Sequence, residues 1–185
     1  MSKLTFLRWC EWDGPGLQHL VLREQRERIV ADAVVLGHTG NGNFAATFRI
    51  VCDGAWHTRE IEARLLDTDR HLILLSDGAG YWRDGNGTPL PHLDGALDVD
   101  LPLTPFTNTL PIRRLRLGAG ESADLKVAYL TMPELSAIAD PQRYVCIEPL
   151  ARYRFESLDT DFVREIEVDT QGLVLAYPGL FKRVE

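Results

Sequence analysis

FAATFRIVC, residues 44–52, alternates with a period of two: Phe44, Ala46, Phe48, Ile50 and Cys52 fall on one side, and Ala45, Thr47 and Arg49 on the other. Successive side chains of a strand point to opposite faces, so this stretch reads as a strand with one face in a core and the other towards polar surroundings. After the DGAW turn (53–56), the run 57–66 repeats the pattern, with Ile61, Ala63 and Leu65 set against Glu60, Glu62 and Arg64. Working towards the amino terminus, 29–36 precedes the glycine-rich turn GHTGNGN (37–43), and 4–12 and 17–24 flank DGPG (13–16) as a hairpin. Working the other way, 71–75 is followed by the short piece 81–83 between two glycine turns, SDGAG (76–80) and DGNG (84–87). Strand-like runs continue at 96–101, 125–132, 143–147, 152–157, 162–168 and 173–177, about a dozen in all. No segment sustains helical spacing over three turns; 104–110 and 133–139 are the short helical candidates, the second opening on Pro133. The fold class is mainly β: an antiparallel β-roll or open barrel with one or two short helical segments, since so many strands must curl to escape open edges.

The 185 residues show no repeat, linker or low-complexity run and predict one domain over 1–185. A chain of this length buries roughly 70% of the surface its unfolded form exposes, so no metal or disulfide staple is required. A formal charge of −7 argues against nucleic acid and against anionic membrane surfaces as partners. No run of about 18 apolar residues offers a transmembrane segment. MSKLTFLRWCEW (1–12) lacks the layout of a secretory signal, which makes a cytoplasmic location the expectation. Cys10, Cys52 and Cys146 are scattered in apolar runs and read as reduced core thiols. His19, His38, His57, His71 and His92 have no metal-ligand spacing, the glycines form neither GxGxxG nor GxxxxGK[ST], and no serine lies in GxSxG. No metal, cofactor or catalytic residue is therefore expected.

DVDLPLTPFTNTLPIRRL (98–115) breaks the strand series. Pro102, Pro105 and Pro111 each fix φ and remove a donor, which predicts that neither a regular helix nor a central strand runs through 102–111. Thr107, Asn108 and Arg113 form a candidate head-group site, with Arg113 suited to a phosphate or sugar-acid carboxylate. The competing reading is a plug whose Thr and Asn side chains serve the backbone across an open barrel end. Asp98 and Asp100, at i and i+2, point to one side and either face water or bind a cation or an arginine, which the nearby Arg113–Arg114 pair supplies. Among Trp9, Trp12, Trp56 and Trp82, the last is expected to line a cavity near an exposed rim because glycines, Arg83 and Asp84 surround it; Trp56, beside its turn, comes next.

DVDLPLTPFTNTLPIRRL, together with RIVCDGAWHTREI (49–61), HLDGALDVDL (92–101), VAYLTMPEL (127–135), QRYVC (142–146) and YPGLFKRV (177–184), resembles the bacterial putative glycolipid-binding family over the whole chain. The resemblance implies a spiral β-roll related in shape to lipoprotein carriers of the bacterial envelope, with a concave apolar interior. Those carriers act outside the cytoplasmic membrane, whereas no signal peptide or lipid-attachment cysteine is read here, so ligand binding in the cytoplasm is expected rather than transport. The function read from the chain is binding of a lipid-like or glycolipid-like small molecule, by Trp56, Trp82, Asp100, Thr107, Asn108, Arg113 and Tyr177. The alternatives are a small hydrolase using Asp100 on a lipid-like ester in the same cavity, and a homodimer formed through strand edges or the 173–184 segment.

Overall fold

The alternation read at 44–52 is realised as strand β4 (Gly42–Asp53), in which Ala46, Phe48, Ile50 and Cys52 are all buried. In the computed structural model, which describes residues 2–39 and 42–184, β4 pairs in register with β3 (Arg28–Thr39), Phe48 opposite Ala33 and Ile50 opposite Ala31. Of the turn expected at 37–43, Gly40 and Asn41 lie outside the described residues; the flanking backbone pairs to Thr39 and Gly42. Gly37 sits opposite Phe44, and a Cβ there would lie 2.3 Å from the Phe44 ring, so the ring folds over a residue that must lack a side chain.

From β4 the chain meanders in both directions. β1 (Lys3–Glu11), β2 (Leu17–Glu24), β3, β4, β5 (Thr58–Leu65), β6 (His71–Ser76) and β7 (Trp82–Asp84) are sequential antiparallel neighbours. β9 (Ser122–Thr131), β10 (Ser136–Glu148), β11 (Arg152–Ser157), β12 (Val163–Val168), β13 (Val174–Tyr177) and β14 (Phe181–Val184) form a second meander. β14 pairs with β1, Arg8 opposite Val184, so the first and last strands meet in the middle of one 14-stranded sheet. The far edge is β8 (Asp98–Asp100), laid parallel on β9. The sheet curls so far that the Leu97 carbonyl, next to β8, accepts from Thr58 N of β5 at 3.3 Å, yet it stays an open roll and does not close into a barrel.

The crossover from β8 to β9 runs through the roll's interior. Thr104 Oγ1 accepts from Phe106 N at 3.0 Å and starts a 3-10 turn, Pro105–Asn108, that continues into α1 (Thr109–Leu115). Phe106 and Leu110 are fully buried in the larger core, made with β1–β6, while Ile112 joins a second cluster formed with β10–β13. The helical expectation at 104–110 is thus met and exceeded. The proline expectation holds: no regular helix or strand runs through 102–111, since 102–103 are turn, 105–108 a 3-10 turn, and α1 begins only at Thr109, where it admits Pro111 as its third residue because first-turn N–H groups have no intrahelical partner to lose. The 133–139 expectation is overturned. Residues 133–135 form the turn of the β9–β10 hairpin, closed by Leu135 N to Thr131 O at 3.0 Å, and Ser136 onward is strand.

Candidate binding cleft

β10 carries a proline inside a strand and positions two polar side chains beside it. β11 ends at Ser157 opposite Gln142, so the amino-terminal part of β10 is paired on the β9 side alone. The Pro141 carbonyl faces the vacant side, where it accepts from Leu158 N at 3.0 Å; its donor-less nitrogen faces the same way and removes no ladder bond. Where β11 stops and the 158–162 turn swings out, a cavity of about 410 Å³ opens. Asp140 and Gln142, two residues apart on β10, reach it together with Asp100 from β8 and Tyr129 from β9.

Gln142 Nε2 donates to Asp100 Oδ2 and to Asp140 Oδ2, 2.9 Å in each case. Thr107 Oγ1 donates to Asp100 Oδ1 at 2.8 Å. Asp100 is surrounded by protein yet keeps part of its surface in the cavity, and desolvation pushes its carboxyl above the ordinary carboxylate range against these hydrogen bonds. Asp140 is raised as well, by desolvation, with the Asp159 charge adding to it. Tyr129 and Tyr177 are raised by burial and then by the Asp100 charge, so both phenols stay protonated at neutral pH. Phe155, Phe162, Tyr177 and Phe181 complete the walls with aromatic surface.

A second cleft, of about 560 Å³, adjoins this chamber and shares Pro102, Leu180 and Phe181 with it. Its walls are predominantly apolar: Trp9, Leu17, Val35, Leu36, Phe44, Leu103 and Met132, with Trp12 and the 13–16 turn at the mouth. Gln18 and Thr104 stand between the two spaces. Gln18 lines the apolar cleft, Thr104 lines the polar one, and Gln18 Nε2 donates to Thr104 Oγ1 at 2.8 Å. Gln18 is only 2% exposed, and among the described residues its Oε1 has no hydrogen-bond partner.

Of the residues expected to bind ligand, Asp100, Asn108 and Tyr177 line the polar chamber, and Thr107 buttresses Asp100 from behind. Asn108 is committed to the fold as well: its Oδ1 accepts from Tyr144 Oη at 2.8 Å and its Nδ2 donates to Pro105 O at 3.2 Å. Trp82, Trp56 and Arg113 lie away from both spaces. Trp82 is 1% exposed and donates Nε1–H to Ala96 O at 2.8 Å; the glycine turns beside it place it under the 3-10 turn Pro91–Leu93, not at a rim. Trp56 is buried with φ 71°, and the Arg113 guanidinium stacks 4.5 Å from its ring centroid. Arg113 also donates to Glu24 Oε2 at 3.0 Å and to the Gln171 carbonyl, and it is not among the residues lining either chamber. Asp98 and Asp100 divide: Asp98, 0% exposed, takes Arg114 Nη2 at 2.5 Å and Nε at 3.2 Å, while Asp100 turns to Thr107 and Gln142. Burial pushes Asp98 up, and Arg114 pulls it back.

Cys52 and Cys146 are buried free thiols, pushed up chiefly by desolvation, as core thiols should be. Sequence reasoning missed Asp140, Gln142 and Tyr129. The readable signal was Asp-Pro-Gln at i, i+1, i+2, where a strand with an edge-facing proline would put both polar side chains on one face.

A family model described as putative glycolipid-binding matches residues 6–183. Among solved structures, a DUF1089 family protein from Pseudomonas aeruginosa is 35% identical and superposes with a TM-score of 0.80, over 94% of this chain and 95% of that one. None of the curated proteins matches.

Proposed function

Since the chain belongs to the putative glycolipid-binding family, we propose that it binds one amphiphilic molecule across the two joined chambers, head in the Asp100–Gln142 chamber and apolar chain along the Trp9–Phe44 cleft. The observation that carries this reading is the division of lining at a shared wall: carboxylates, amides and aromatic rings on one side of Pro102, Leu180 and Phe181, and predominantly apolar side chains on the other. Burial of an alkyl chain supplies affinity at about 25 cal/mol per Å², and the polar groups orient the head. The ligand then occupies clefts at the mouth of the roll, whose interior is filled by Phe106, Leu110 and their neighbours. Titration with a brominated alkyl glycoside tests it, because Trp9 and Trp12 line the apolar cleft and bromine quenches indole emission at contact. Saturable quenching that is lost when Phe44→Arg places a charge in the cleft is expected; unquenched emission at all concentrations below micelle formation refutes the proposal.

One observation favours a second reading, in which the site also acts on its ligand. Two carboxylates that accept from the same amide nitrogen are held within two hydrogen-bond lengths of each other, which admits the separation of about 5–5.5 Å at which carboxylate pairs hydrolyse glycosides with retention. Desolvation raises both above the ordinary carboxylate range, the direction a general acid requires. Release of glucose from dodecyl β-D-glucoside by the wild type, abolished in Asp140→Asn, is the result that supports it.

A further inference from the structure

We infer that this cleft discriminates by head-group charge, accepting amphiphiles whose hydroxyl-rich head is uncharged or carries an amine and rejecting those whose head is a phosphate or carboxylate. The inference rests on the amphiphile reading above and adds a selection rule to it. Among the described residues, neither chamber is lined by a lysine or arginine, while Asp100 and Asp140 line the polar one and Glu11 and Asp13 the other. Two cations contact lining residues without lining either chamber themselves: Arg164 stacks 4.8 Å from the Phe162 ring centroid and donates to Val163 O at 2.8 Å, and Lys182 Nζ donates to Trp12 O at 3.1 Å. Arg113 and Arg114, the cations best suited to a phosphate, are held by Glu24 and Asp98.

An anionic head would lie among carboxylates that are already desolvated, where like charges repel strongly and are screened least. A sugar or amine reverses the sign. Carboxylate oxygens accept from adjacent hydroxyls or from an ammonium, and Phe155, Phe162, Tyr177 and Phe181 offer flat surface to a ring face. A second observation comes from the wall between the chambers, where the buried Gln18 Oε1 is an acceptor with no partner. A hydroxyl or ammonium of a head that reached this wall would supply the missing donor, whereas a fully ionised phosphate has none to give.

Dodecyl β-D-glucoside, dodecylamine and dodecyl phosphate share one chain and differ in the head, so calorimetric titration of the full chain with each, at low ionic strength and below micelle formation, isolates the charge effect. Glucoside and amine are expected to bind at least about tenfold tighter than the phosphate, with the gap closing in Asp100→Asn/Asp140→Asn. Asp140→Asn alone, at a partly buried position, guards against a folding defect in the pair and should close part of the gap. Phosphate binding equal to or tighter than that of the glucoside in the wild type overturns the charge rule and leaves the amphiphile reading standing. Failure of all three chains to bind overturns both.

Discussion

Arg113 and Arg114 are adjacent, yet one lies over Trp56 and the other against Asp98, and neither faces the cleft. Arg113→Ala removes a stacked guanidinium, its ion pair with Glu24 and its bond to the Gln171 carbonyl. A loss of about 1–3 kcal/mol in urea denaturation, with amphiphile affinity unchanged, is the expected outcome. Asp100 behaves oppositely. Its folded carboxyl is raised above the unfolded value of about 3.9, so the native state holds the extra proton, and the stability this group contributes falls as pH rises from about 4 through the folded value. Asp100→Asn should therefore melt close to the wild type near pH 3 and at or above it at pH 7, a gap that calorimetry at several pH values reads directly. A gap that widens towards acid would contradict the assignment. At this scale the sequence was partly legible. Asp100, Asn108 and Tyr177 could be picked out as polar or amphipathic groups beside turns, but Trp82 could not, because its burial is decided by residues 91–96 folding over it, a contact that local polarity does not encode.

Among the elements, β10 brings Asp140 and Gln142 to the polar chamber, and the 105–115 crossover brings Asn108. The crossover could be recognised as irregular from its prolines and threonines, and its short helical candidate is present. That its apolar side would fill the roll could not be read, since seven helical residues have too short a period to separate a core face from a plug. Leu110→Ala, at a fully buried position in the larger core, should cost about 2–5 kcal/mol and shift the denaturation midpoint with little change in slope. Gly37→Ala touches the cleft without touching the ligand directly: the added methyl must displace the Phe44 ring. We expect it to weaken binding of alkyl chains several-fold while leaving head-group preference intact, checked with the dodecyl series. β10 was read as beginning only at Arg143, because a strand with an interior proline scores poorly unless its edge side is known, and that side exists only once β11 stops short.

Across the whole molecule, the sheet has two ends, and both are blunt. β7 and β8 span three residues each, and β8 lies against β5. The 173–184 segment has no free edge, since β13 and β14 are paired on both sides, so a dimer built by adding strands there is not available. Strand periodicity made the meanders legible; the closing of β1 on β14 was not, because nothing local reports a pairing between Arg8 and Val184. That pairing has a consequence for how the chain could be rewired. If Val184 were joined to Lys3 through a flexible linker of about eight Gly/Ser residues and the chain opened at the exposed 85–87 turn, strands β8 to β14 would lead straight into β1 to β7. Strands that now find each other across the full chain would then be sequence neighbours. Such a circular permutant should keep the native fold and refold faster than the parent by stopped-flow fluorescence, since folding rate falls with the sequence distance between contacting residues.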